Sequence, residues 1–142
     1  MKHKGLLFAA IVLLCSCSVN QEERKAMMLA ERVVPGIVSS LRFERTDDTL
    51  DVFELESVGK KIVVRGNNAN SMAVGLNHYL KNYCLTTVSW YAKDPVELPD
   101  VLPVVPRKIR SEARAKERFF LNYCTYGYTM PFWGWTEWER LI

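Results

Sequence analysis

Between Asp94 and Arg107 the chain reads DPVELPDVLPVVPR and holds four of its six prolines. Proline fixes φ at about −65° and brings no N–H, so this density excludes both helix and central strand and leaves an extended, stiff connector. The basic and polar residues 107–116 continue it. The stretch divides the 142 residues into parts of different texture: short alternating runs upstream, and nine of the sixteen aromatics between Phe119 and Trp138 downstream. The expected organisation is a domain over residues 25–93, a proline-rich linker over 94–116 and a second unit over 117–142.

The upstream part reads as a small α+β module. Gln21 to Val34 carries helix formers with an apolar stripe at Met27, Ala30, Val33 and Val34, and Pro35-Gly36 ends it. Leu41–Arg45, Asp51–Glu56 and Lys61–Arg65 then alternate with the period of half-buried strands. Their closeness predicts an antiparallel meander, with Gly59 at a tight connection and Glu54 and Glu56 solvated on the exposed face. Asn70 is the predicted cap of a helix over Ser71–Tyr83 that gathers Met72, Leu76, Tyr79, Leu80 and Tyr83 on one face and leaves His78 solvated on the other. Thr86–Tyr91 is rich in β-formers and reads as a further strand. The expected fold class is α+β, a mostly antiparallel sheet covered by helices.

Residues 1–17 have the form of an export signal: Met1-Lys2-His3-Lys4 is basic, and Gly5–Leu14 is an uncharged apolar run of ten. Ten residues fall well short of the roughly 20 that span a bilayer as a helix. The following Leu14-Cys15-Ser16-Cys17 resembles the bacterial lipoprotein box, which implies cleavage before Cys17 and acylation of that residue, with residues 18–24 as a tether. An ordinary signal peptide with two incidental cysteines is the other reading. More than one acyl chain anchors stably, and Ser18 after the cysteine resembles lipoproteins sent to an outer membrane. The expected location is the bacterial cell envelope, exported and lipid-anchored. Without Lys2 and Lys4, 17 basic residues face 16 acidic ones, so no nucleic-acid surface is indicated. No phosphate-cradling glycine motif is present. Cys84 and Cys124 have neither CxxC spacing nor a nearby histidine, so no metal site is expected.

Downstream, Arg118–Cys124 (RFFLNYC) reads as a strand buried on both sides, with Arg118, Phe120, Asn122 and Cys124 on one face. A loop ending Phe132-Trp133-Gly134-Trp135 leads to Thr136-Glu137-Trp138-Glu139, a predicted capping box that starts a helix at Glu137. That helix is under two turns, too short to sustain itself, and a βα unit needs parallel neighbours. The chain is therefore expected to be the front of a larger protein.

Residues 119–142 resemble the opening of the catalytic domain of the alpha-N-acetylglucosaminidases, glycoside hydrolase family 89, through Phe119-Phe120, Asn122, Cys124-Thr125, Tyr128, and Trp133, Trp135, Trp138-Glu139. Val63-Val64-Arg65-Gly66 and Gly75-Leu76-Asn77-His78-Tyr79-Leu80 are similar to that family's amino-terminal domain, so the resemblance spans residues 25 to 142. It implies that this strand opens a (β/α)8-type barrel, whose substrates bind at the carboxyl ends of its strands. By motif match it also implies that Asn122, Cys124 and Tyr128 contact the sugar. On the residues alone, Asn122 also reads as a structural hydrogen-bonder, Cys124 as packing, and Trp133 and Trp135 as loop packing. A pocket thiol at Cys124 argues against a Cys84–Cys124 bridge.

The resemblance further implies a retaining glycosidase with two carboxylates, using no cofactor and no metal, and acting on glycans with terminal α-linked N-acetylglucosamine. None of Glu112, Glu117, Glu137 and Glu139 corresponds to that catalytic pair, so the 142-residue chain is expected to be inactive alone. The alternative is a standalone lipoprotein that binds glycans or a partner protein. Deleting residues 107–142 is expected to leave the module's stability unchanged on the first reading and to lower it on the second.

Overall fold

The structure, a computed structural model, describes residues 20–89, 94–118 and 132–141. Among the described residues three helices and four strands follow in the order α1 (Gln21–Val33), β1 (Leu41–Arg45), β2 (Val52–Val58), β3 (Lys61–Gly66), α2 (Ala69–Asn82), β4 (Ile109–Glu112) and α3 (Trp135–Leu141), with a 3-10 helix over Pro35–Ser40. The sheet order is β1-β3-β2-β4. Its β2–β3 and β2–β4 pairs are antiparallel and its β1–β3 pair is parallel. The architecture is α+β with a mostly antiparallel sheet, as the patterning indicates.

Alternation along each strand decides which side chains meet the helices. Leu41, Phe43, Phe53, Leu55, Ile62 and Val64 form one face and pack with Met72, Leu76, Tyr79 and Leu80 of α2 and Ala26 and Ala30 of α1. Small residues on α1 let it approach closely, and its buried face centres on Ala26 and Ala30 rather than on Met27 and Val33. Gly75 has the same role on α2: a Cβ there would lie 2.7 Å from Cγ1 of Val64 and 3.2 Å from Phe53. Fully burying one side chain of this size contributes about 1.5–3 kcal/mol, so this layer dominates stability.

The first three strands are not a meander. β2 and β3 join as a two-residue hairpin, with Val58 opposite Lys61 and Gly59 at φ 59°, the pattern of a type II′ turn. β1 pairs with the far edge of β3 instead of with β2. Alternation specifies faces but not neighbours, and both placements bury Leu41 and Phe43. The cap of α2 is Asn68 rather than Asn70: its side chain accepts from the Ser71 amide at 2.8 Å. Residues 84–89 are not a strand, and Trp90 and Tyr91 lie outside the described residues. His78 is half-buried, its ring 5.3 Å from that of Phe53.

The proline-rich stretch corrects the expected linker. Val105 is buried in the core, with Val96, Leu98 and Leu102 packed against it, and Ile109–Glu112 adds β4 to the sheet. The Tyr79 hydroxyl donates to the Pro103 carbonyl at 2.7 Å, and the Val105 amide donates to Ser57 Oγ at 2.8 Å. Proline density forbids helix but not burial. An extended strap lacking several N–H groups leaves fewer donors to satisfy as it crosses an apolar layer. The amino-terminal domain therefore runs through Glu112, and deleting residues 107–142 removes a strand on either functional reading. The expected tether over residues 18–24 overlaps α1, which starts at Gln21 and is capped by Asn20 accepting from the Glu22 amide at 2.9 Å.

Candidate functional site

The sheet face away from the helices is polar. Its ion pairs run from Arg42 to Glu44, Glu44 to Arg65 and Arg65 to Glu56, then from Lys108 and Arg110 to Glu54 and from Arg110 to Asp48. Val63, fully buried at its centre, lies under this layer of long side chains. Glu54 and Glu56 are thus paired rather than solvated. Glu54 is held below the usual carboxylate range: burial opposes this most strongly, but Lys108 and Arg110 together outweigh it. A glycosidase acid/base needs a raised pKa. Among the described acids Glu22, Asp48, Asp51 and Glu54 are displaced, and all four downward.

The other polar concentration lies at one end of the sheet, where β2 and α2 begin and β4 ends. Asp51 Oδ1 accepts from Asn68 Nδ2 at 2.8 Å and Asn67 Nδ2 at 3.2 Å, and Oδ2 accepts from the Arg118 guanidinium. Asn67 Oδ1 accepts in turn from Ser71 Oγ at 2.8 Å and from the Val52 amide at 3.4 Å. Arg118 first, then Asn67 and Asn68, hold the Asp51 carboxyl below its ordinary value. Glu22 of α1 reaches the same end, accepting from the Ala69 amide in the first turn of α2 at 2.9 Å. A shallow groove of about 220 Å³ opens beside this network, lined by Phe53, Asn70, Val74, Ser111 and Arg118 among others. Three donors occupy three of the roughly four lone-pair sites of the Asp51 carboxylate and tie it to two other segments, so Asp51 organises structure. Sequence reading passed over it, because Gly66-Asn67-Asn68 signalled only a break in pattern.

Among the described residues no group of three or more His, Cys, Asp or Glu is placed to hold a metal ion. Cys84 is a half-buried free thiol whose pKa burial raises. Asn122, Cys124 and Tyr128, the expected sugar contacts, and Cys17, the expected lipid attachment, lie outside the described residues, as does most of the strand expected over Arg118–Cys124. Beyond them, α3 begins two residues earlier than expected. Glu137 Oε2, not Glu139, reaches back to the Gly134 amide at 2.9 Å, and the Trp138 amide donates to the Gly134 carbonyl. Trp133 packs edge-on against Trp138 with ring centroids 5.3 Å apart, whereas Phe132 and Trp135 are exposed.

Comparison with known proteins matches residues 24–104 to the alpha-N-acetylglucosaminidase (NAGLU) N-terminal domain and residues 118–142 to the NAGLU TIM-barrel domain. Alpha-N-acetylglucosaminidase of Homo sapiens is 34% identical over 94 residues, 66% of this chain. A family 89 glycoside hydrolase from Clostridium perfringens, solved with 2-acetamido-1,2-dideoxynojirmycin, superposes with a TM-score of 0.74 and 33% identity over 84% of this chain. A doubly substituted Clostridium perfringens protein solved with its substrate GlcNAc-alpha-1,4-galactose gives a TM-score of 0.75. The chain spans 12% of the human relative's length and 14% of each bacterial chain.

Proposed function

The chain belongs to the alpha-N-acetylglucosaminidase family, and we propose that it is the amino-terminal part of an exported glycoside hydrolase that removes terminal α-linked N-acetylglucosamine from glycans. The observation that carries this reading is the order of the two matches. Residues 24–104 correspond to the family's N-terminal domain and residues 118–142 to its barrel. A relative solved with GlcNAc-alpha-1,4-galactose supports the substrate class.

A retaining mechanism uses one carboxylate as nucleophile and a second as acid/base. Glu22, Asp48, Asp51 and Glu54 are each ion-paired and held below the usual carboxylate range, and none of the other acids matches the family's catalytic pair, so the proposal assigns catalysis to barrel segments beyond these residues. Asn122, Cys124 and Tyr128 would line the sugar pocket, a role supported by their motif match. Asparagine offers a donor and an acceptor to sugar hydroxyls, and a tyrosine ring packs on a sugar face. The Leu14-Cys15-Ser16-Cys17 sequence supports lipidation at Cys17 and a place in the bacterial envelope, at the outer membrane. With α1 starting at Gln21, only Ser18, Val19 and Asn20 would separate anchor from domain.

The test is the intact mass of the species carrying these peptides in the native host's membrane fraction, paired with an assay on an aryl α-N-acetylglucosaminide. The expected species is far heavier than 142 residues, acylated at Cys17 and active with retention of configuration, while the isolated 142-residue chain shows no turnover. Turnover by that isolated chain contradicts the assignment of catalysis. A species of leader-cleaved size favours the alternative, a lipoprotein binding module, for which the exposed Phe132 and Trp135 are the supporting observation.

A further inference from the structure

We propose that Asp51 is a positioning residue that fixes where the chain leaves the amino-terminal domain and enters its second family segment. Residues 113–118 form a short loop after β4, and both ends of that loop are fastened to this one residue. The Ala113 amide donates to the Asp51 carbonyl at 2.8 Å, and the Arg118 guanidinium bonds to Oδ2. Arg118 Nη1 also donates to the Ala115 carbonyl at 3.1 Å, so the guanidinium is held from inside the loop as well.

An isolated surface ion pair would hold little, because two long side chains lose entropy to make it. Here the carboxylate is already oriented. Asn67 and Asn68, at the junction of β3 and α2, both occupy Oδ1 and leave Oδ2 for Arg118. Asn68 is itself fixed as the cap of α2, and Asn67 by Ser71. The clamp therefore refers the loop to two rigid elements, the start of β2 and the first turn of α2. A loop of six residues tied at both ends loses little further entropy on closing.

The functional meaning of the clamp rests on the family reading. Arg118 is the first residue of the barrel match and stands four positions before Asn122, so its placement sets the origin of the first barrel strand relative to the domain. The clamp itself is read without any activity. Failure of the glycosidase assay and failure of the clamp are thus separate outcomes.

The experiment is limited trypsin cleavage at Lys116 in the folded 142-residue chain, with Asp51→Asn, Arg118→Gln and the double variant. Each rate is normalised to that of the urea-unfolded chain and compared with cleavage at Lys61 in β3. Each single variant is expected to speed cleavage at Lys116 roughly threefold, the size appropriate to a half-exposed pair. The double variant is expected to match the singles, because both remove one interaction. Lys61 cleavage is expected to be unchanged. Multiplication of the two effects to about ninefold in the double variant, no acceleration in Arg118→Gln, or equal acceleration at Lys61 overturns the proposal. If Asp51→Asn does not fold, Arg118→Gln carries the test, because that side chain is 46% exposed and outside the core.

Discussion

Leu85 is the described non-glycine residue with a left-handed backbone, φ 55°, and 86% of it is exposed. It sits just past α2, where the Thr86 amide turns back to the Leu80 carbonyl at 3.0 Å. Left-handed φ costs an L-residue about 1–2 kcal/mol, and so exposed a side chain offers little packing in return. Leu85→Gly should therefore stabilise the domain by about 0.5–1 kcal/mol, less than the full relief because glycine frees the unfolded chain. Urea denaturation at unchanged slope measures this, and a loss of stability would show that Leu85 packs in solution. Asp51, with Asp48, Glu22 and Glu54, gives a pH dependence of definite sign. A carboxyl whose folded pKa is depressed contributes stability above its unfolded value and loses it as pH falls through the folded one. The melting temperature should be nearly flat from pH 7 to 5 and fall below about pH 4. A fall already complete at pH 5 would mean that other groups control acid unfolding.

At the scale of elements, the strap between α2 and β4 is the part that sequence reading placed wrongly. Its prolines forbid helix, and that much was legible. The apolar residues between them, Val96, Leu98, Leu102 and Val105, gave no periodic signal because an extended strap has no fixed face. Their burial against the core comes only from packing on the helices and sheet. Val105→Ala should cost about 1–2 kcal/mol, from lost burial and an incompletely closed void. The same change at Val104, which is 68% exposed, should shift stability by less than about 0.5 kcal/mol. Equal effects of the two substitutions on thermal melting would show that the strap does not pack as an ordered element. Helices and strands were more legible than their partners. The alternation at Phe53, Leu55, Ile62 and Val64 identified the buried face, whereas pairing β1 with β3 needed the full three-dimensional arrangement.

For the whole molecule, the boundary falls later than composition implied. Chains ending at Arg107 and at Arg118 should differ sharply. The shorter loses β4 and leaves Glu54 without Lys108 and Arg110; the longer keeps both, along with the Asp51 clamp. Losing the cross-strand contacts of β4, at about 0.2–1 kcal/mol per pair, corresponds to a melting temperature lower by at least several degrees in a domain of this size. Equal melting temperatures would show that β4 is dispensable. From sequence alone came the class of fold, the first three strands and two long helices, the core face of α2, and the family, because periodicity and a dense motif are properties of the chain read in order. The sugar contacts proposed at Asn122, Cys124 and Tyr128 rest on that motif. Only the tertiary structure decided that β1 lies beside β3, that the proline-rich strap and β4 complete the domain, and that one carboxylate at Asp51 joins three separated segments. The physical reason is that alternation records which face of an element is buried. Which segments share that burial depends on a competition among distant surfaces, and a local pattern does not encode its outcome.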